Sequence, residues 1–184
     1  MEAIDCLNGR RSVRKFTDAH IDRETVSKIV LAAQAAPSWK NMQPTRFTAM
    51  YGDAVAQVHK LFGEENSKLG DWNGSILSTT TLLVAVSAVK GKSGYNASGE
   101  PSTVYGDGYT FFDCGAAVQN FCLAAHAYGV GSVVLGHFDL EKLTALAEIP
   151  QDEELIVLIA CGYPAEAPDA RKRLDTDSVL RFLR

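Results

Sequence analysis

The sequence predicts an α+β fold: a mixed central β-sheet flanked by helices, in a single domain over residues 1–184. Three observations carry that prediction. Apolar residues recur at helical spacing in several stretches, the clearest being Val26, Ile29, Val30 and Ala33 at i, i+3, i+4 and i+7. Only a few short runs, at 46–51, 81–89, 131–136 and 155–161, are rich in β-branched and apolar residues, which gives one sheet among several helices. Finally, a doubly wound dinucleotide fold places a Gly-rich turn after its first strand. Here 46–51 is followed by Gly52-Asp53 with no GxGxxG, and no GxxxxGK followed by Ser or Thr occurs. Any phosphate this protein binds is therefore held by side chains.

Taken in order, residues 2–8 read as a short helix with Ile4 and Leu7 three apart and Gly9 as its stop. An extended segment follows. Asp22 is a good N-cap for the amphipathic helix behind it, and Pro37 forces the chain out of that helix. Residues 46–51 form a strand, and Asp53 caps a helix that turns Val55, Val58 and Phe62 inward. Residues 64–74 are polar and Gly-punctuated, and read as a mobile connection. Residues 81–89 suit a strand buried on both faces. Residues 90–108 hold five glycines and a proline, with Tyr95, Tyr105 and Tyr109 in or beside them. Such a long loop is often functional, and a flexible cover over a site is expected. Residues 109–128 are apolar around most of the helix circumference, from Phe111 and Phe112 to Ala124 and Ala125. A helix of that kind is buried on several sides, here at a subunit interface, and Gly129 ends it. A short strand at 131–136, a helix capped by Asp139 and an apolar strand at 155–161 complete the domain. The tail ends in an apolar piece, 179–183, that needs something to pack on, and a partner subunit is the candidate.

Composition narrows the function. The 184 residues are 46% hydrophobic, enough for a substantial core, and the formal net charge is -4. The basic clusters are two, short and far apart in sequence, so nucleic acid is not an expected partner. No apolar run is long enough to span a bilayer, and the first residues lack the layout of a signal peptide. A cytoplasmic location is expected. The four cysteines, Cys6, Cys114, Cys122 and Cys161, include no CxxC pair and suggest no disulfide framework. The four histidines show no metal-ligand spacing.

Two stretches carry chemistry. Arg10-Arg11-Ser12-Val13-Arg14-Lys15-Phe16 places three arginines and a lysine within six positions of an acidic protein. Guanidinium groups match phosphate oxygens two at a time. In an extended backbone Arg10, Ser12 and Arg14 share one face and Arg11, Val13 and Lys15 the other, so one face can hold a phosphate and a polar ring edge together. The loop Pro37-Ser38-Trp39-Lys40-Asn41-Met42-Gln43-Pro44 is the second. Ser38, Asn41 and Gln43 can read a heteroaromatic edge, although a bland turn accounts for the prolines and Asn41 equally well.

These residues, together with FFDCGAAVQNFCLAAHAYGVGSVVLG at 111–136 and IVLIACGYPAEAPDARKR at 156–173, resemble the nitroreductase family of FMN-dependent oxidoreductases nearly end to end. The resemblance implies an interlocked homodimer with FMN at the subunit interface. By that resemblance Arg10, Arg11, Ser12 and Arg14 form the first FMN segment, with Arg10 and Ser12 on the phosphate and ribityl side and Arg14 at the pyrimidine edge. Pro37, Ser38 and Asn41, with Trp39 among them, match the loop that reaches FMN from the other subunit. Leu135 and Gly136 match a turn whose backbone amides approach flavin N5 and O4. Arg171 and Arg173 match a late basic pair that closes on the phosphate. Asn73 is the nearest match to a further FMN-contacting Asn.

The resemblance also implies a reaction: hydride from NAD(P)H passes through flavin N5 to a nitroaromatic, quinone or related small acceptor, in a ping-pong scheme, with no catalytic side chain and no metal. A reductive dehalogenase or a flavin-fragmenting enzyme of the same fold is the first alternative. A flavin carrier or sensor without turnover is the second.

Overall fold

A computed structural model of the chain describes residues 2–64 and 68–183. Among the described residues four strands form one sheet: β1 (Thr45–Met50), β2 (Leu82–Val89), β3 (Gly131–Leu135) and β4 (Glu153–Gly162), in the order β1-β2-β4-β3. The α+β class is as expected. The mixed sheet is not quite what forms: all three pairings between these strands are antiparallel. The parallel element is an isolated bridge from Ser12 to Ser132, which lays the arginine segment along the outer edge of β3.

Seven helices form among the described residues: α1 (Ala3–Gly9), α2 (Arg23–Gln34), α3 (Asp53–Glu64), α4 (Lys68–Leu77), α5 (Gly108–Ala127), α6 (Leu140–Leu146) and, on the exposed tail, α7 (Thr176–Val179). Side chains alternate across a strand, and β2 shows the result. Leu82, Val84 and Val86 pack with Ile29 of α2 and Phe121 of α5. Leu83 and Ala85 pack with Val58 of α3, Ile76 of α4 and Leu143 of α6. The sheet is thus the middle of three layers, and β2 is buried on both faces as its composition requires.

The caps behave as the sequence indicates. The Asp22 side chain accepts from the Thr25 amide at 2.8 Å, and Asp139 accepts from the Lys142 amide at 3.1 Å. Asp53 is itself the first residue of α3 rather than its cap. The mobile connection expected over 64–74 is largely the helix α4. Residues 65–67 of that expectation lie outside the described residues. Burial of Ile76 and Leu77 against the sheet overrides the low helix propensity of its glycines.

Two further expectations change. Ile4 and Leu7 are exposed, and Cys6 is the buried residue of α1, its thiol donating to the Leu123 carbonyl at 3.3 Å. On α5, Phe121, Cys122 and Ala125 enter the core, but Phe111 and Phe112 are 51% and 68% exposed. The apolar circumference is therefore covered on one side only within a single chain. The loop before α5 is folded rather than a loose cover. Tyr95 bridges Pro101, the Ser102 amide donates to the Gly94 carbonyl at 2.7 Å, and the Tyr95 hydroxyl donates to Asp107 at 2.5 Å. The tail residues 171–183 are exposed throughout, with Phe182 at 84% and Leu183 at 97%.

Candidate functional site

The arginine segment is pinned by a glycine notch. Gly131 and Gly162 are paired across β3 and β4. A Cβ on Gly131 would come within 2.9 Å of the Val13 Cβ, and one on Gly162 would collide with the Phe16 side chain. Their bare backbones let Val13 and Phe16 sink into the core, 6% and 5% exposed. The Val13 amide donates to the Ser132 carbonyl at 3.1 Å, and Thr17 and Ala165 exchange bonds with Tyr163 and Lys15. Val13 inward puts Arg10, Ser12 and Arg14 on the opposite side of an extended chain. Phe16, which strict alternation would place with them, also enters the core, so the alternation does not run on to Phe16.

The four predicted residues of this segment differ in what they do. Arg11 turns back, donating to the carbonyls of Asn8 and Arg10. Arg10 lies close enough to His126 and Cys122 on α5 to act on both electrostatically. The His126 imidazole is pushed below its ordinary pKa by burial, then by the Arg10 and Arg11 cations. Ser12 makes the bridge to β3. Arg14 donates through Nη1 to the Ser12 carbonyl at 3.0 Å, and its backbone amide donates to Glu166 at 2.7 Å. The Arg14 Nε is buried with no hydrogen-bond partner. Its guanidinium lies 6.0 Å from the ring centroid of Trp72, which is itself 56% exposed. The neighbouring Asn73 is buried and donates to the His137 carbonyl at 3.1 Å, so it braces the turn that contains Gly136. Gly136 is exposed, and a Cβ there would meet nothing within 4 Å. The Leu135 side chain belongs to the core, so it can offer a ligand only its backbone.

The loop at 37–44 is held differently. Lys40, Asn41 and Gln43 all have positive φ, at 46°, 57° and 46°. Asn tolerates that region, whereas Lys and Gln occupy it at a cost of about 1–3 kcal/mol each. Internal bonds offset part of this: the Ser38 hydroxyl accepts from the Gln43 amide at 2.9 Å, and the Met42 amide donates to the Trp39 carbonyl at 2.8 Å. The tie to the body is Asp113 of α5, whose carboxylate accepts from the Trp39 amide at 2.9 Å. The Trp39 ring meets Tyr109 edge-on, 4.8 Å between centroids, and its indole Nε1 is buried without a partner. Asn41 is exposed, while Pro37 and Ser38 line a cleft with Gln43, Arg46 and Asp113.

The structure does not bring these two regions together. Ser12 stands beyond β3 at the level of Ser132, Cys161 and Leu82, whereas the loop enters β1 at Thr45, level with Ala88 and Glu154. With strands about 4.8 Å apart and about 3.4 Å per residue, these diagonal corners are on the order of 25 Å apart. Arg171 and Arg173 lie exposed on the tail. Sequence reasoning missed Trp72, Glu166 and Asp113. Only Asp113 carries a legible signal, as the lone carboxylate of α5.

The cationic edge segment and the aromatic loop each hold one buried donor without a hydrogen-bond partner, Arg14 Nε and Trp39 Nε1. The chain belongs to the nitroreductase family, whose family model matches residues 7–163. A protein of Archaeoglobus fulgidus, provisionally named an NADH dehydrogenase/NAD(P)H nitroreductase, is 30% identical over 98% of this chain and 97% of its own length. Iodotyrosine deiodinase 1 of Mus musculus is 26% identical over 95% of this chain and 67% of its own length. A provisionally assigned nitroreductase from Desulfovibrio desulfuricans, solved in complex with FMN, superposes with a TM-score of 0.76 at 26% identity, covering 98% of this chain and 96% of the other.

Among the described residues no helix is long and apolar enough to cross a membrane, and no group of three or more His, Cys, Asp or Glu is placed to hold a metal ion. The residues present fit FMN. The unpaired Arg14 Nε is a donor waiting for an acceptor such as a ring carbonyl or phosphate oxygen, and leaving it unmet costs about 1–3 kcal/mol.

Proposed function

We propose that this FMN-dependent oxidoreductase takes reducing equivalents from NAD(P)H and passes them to a small nitroaromatic, quinone or related acceptor, donor and acceptor alternating over one open face in a ping-pong scheme. The observation that carries the reading is the buried, unpartnered Nε of Arg14 on a segment of clustered cations. Bound FMN supplies the hydride relay at its N5. Arg10 and Ser12 hold the phosphate and ribityl end. Arg14 sets a fixed positive charge at the pyrimidine edge, which favours the negative charge of the reduced ring. The backbone at Gly136, braced by Asn73, offers a donor without a side chain in the way. Arg171 and Arg173 close on the phosphate from the tail.

The chain works as an interlocked homodimer. Pro37, Ser38, Trp39 and Asn41 are too far from Arg14 of the same chain to share its ligand. They meet the flavin of the partner's site, so each dimer holds two composite sites. The exposed Phe111, Phe112 and tail support this reading, because one chain leaves them bare. Reductive dehalogenation of an aromatic substrate is the second reading, favoured by the likeness to the mouse deiodinase.

The test is an absorption spectrum of the purified protein followed by anaerobic addition of NADH and NADPH. Flavin bands that bleach with either donor support the reading and identify the donor. Flavin bands that neither donor bleaches point to a carrier. A colourless protein that takes up no FMN overturns the reading. Halide release from a halogenated phenol, with no nitro or quinone reduction, would select the second reading.

A further inference from the structure

We infer that Asp113 is the positioning residue for the loop half of the site. This rests on the reading that residues 37–41 contact the flavin. Asp113 sits on α5 and is 2% exposed. One carboxylate oxygen, Oδ2, accepts two bonds: from the Trp39 amide at 2.9 Å and from the Ser93 hydroxyl at 2.5 Å. Ser93 is fully buried. This single oxygen therefore joins three segments that are distant in sequence: the central helix, the loop after β2, and the loop carrying Pro37, Ser38 and Asn41.

The arrangement answers a specific need. Positive φ at Lys40, Asn41 and Gln43 keeps the loop in a conformation it would leave if untied. The Trp39 amide is the point immediately before that strained run, so fixing it fixes where Ser38 and Asn41 stand. The tie comes from α5 rather than from β1, so the loop's position follows the helix that also exposes Phe111 and Phe112. An apolar residue at 113 would leave both the Trp39 amide and the Ser93 hydroxyl unpaired. Asparagine would keep an oxygen for both donors.

The test uses the full chain as purified. Asp113→Ala should weaken FMN binding about tenfold and alter the visible circular dichroism of bound flavin, the size expected for one lost buried hydrogen bond. Asp113→Asn should stay within about threefold of the parent, with its spectrum intact. Ser93→Ala should fall between the two. A flavin-independent readout comes from Trp72→Phe, which leaves Trp39 as the sole tryptophan, since the chain holds two. In that background Asp113→Ala should red-shift Trp39 emission, and Asp113→Asn should not. Wild-type FMN affinity and unchanged Trp39 emission in Asp113→Ala would overturn the inference. So would Asp113→Asn losing flavin as fully as Asp113→Ala. If Asp113→Ala does not fold, wild-type flavin affinity and spectrum in Ser93→Ala overturn it, and a graded loss supports it. Failure of the parent protein itself to bind FMN sinks the flavin reading instead, while Trp39 emission still reads the tie.

Discussion

The arginine segment and the loop at 37–44 do comparable work by opposite means. The first is fixed by packing: two apolar side chains drop into a glycine notch, and backbone pairing to β3 and to the start of the tail does the rest. None of its residues adopts positive φ. The second has little packing beneath it. Three of its residues adopt positive φ, and one buried carboxylate ties it down. A site that must supply charge at a fixed place uses the rigid element, where pre-organisation costs least. In the proposed composite site the contact to the partner's flavin falls to the strained loop, whose position is set from α5.

That comparison can be broken at several points. The largest effect belongs to the cations. Arg14→Ala should weaken FMN binding roughly 10- to 100-fold, the size of a lost charge-assisted hydrogen bond, measured by flavin fluorescence titration. Arg14→Lys should recover only part of it, because the fork is lost. Next is the notch. Gly162→Ala forces Phe16 out of place and should cost about 1–3 kcal/mol, a melting-temperature drop of about 2–4 °C for each kcal/mol. Flavin affinity should fall with it, since the cations ride on that segment. An unchanged melting temperature would show that the segment is not pinned as described.

The loop should respond the other way. Lys40→Gly relieves a left-handed residue and should raise the melting temperature by about 1–3 °C, the strain relieved slightly exceeding the added chain entropy. A fall of that size would mean that the positive φ is not strained.

The smallest effect is electrostatic and sits at the arginine end. His126 has its pKa lowered from 6.5 by burial and by Arg10 and Arg11. The unfolded chain therefore takes up this proton at higher pH than the folded one. The corresponding stability is full above about pH 6.5 and declines as pH falls toward the folded value. Urea midpoints between about pH 7.5 and 5.5 should show that slope, and His126→Gln should flatten it. A slope identical in both proteins would remove His126 from the account.

Much of this was legible in the sequence, and the gaps have physical causes. Alternation read along Arg10–Arg14 places Val13 opposite Arg10, Ser12 and Arg14, because strand geometry depends only on local order; the burial of Phe16 departs from it. The caps at Asp22 and Asp139 were readable for the same reason. The antiparallel pairing of every main strand was not, since direction is set by how long connections run. Helix α4 was missed because its glycines mask a helix held by the tertiary burial of Ile76 and Leu77. The loop's residue types mark it as unusual, but its strain and its tie to Asp113 are invisible in the sequence. Nothing in the spacing of Trp39, Ser93 and Asp113 says that they converge. The distance between the two halves emerged only from the strand order, β1 and β3 being opposite edges.

The central claim is that each flavin site is assembled from the arginine segment of one chain and the loop of another. Co-expression of Arg14→Ala with the double variant Ser38→Ala/Asn41→Ala, under separate affinity tags, tests it most directly. Each variant alone should purify nearly free of flavin. The heterodimer carries both defects in one composite site and leaves the other intact, so it should hold roughly half the wild-type flavin and reduce it with the same donor. Heterodimers as flavin-free as either parent would contradict the account, because two sites each built within one chain cannot complement.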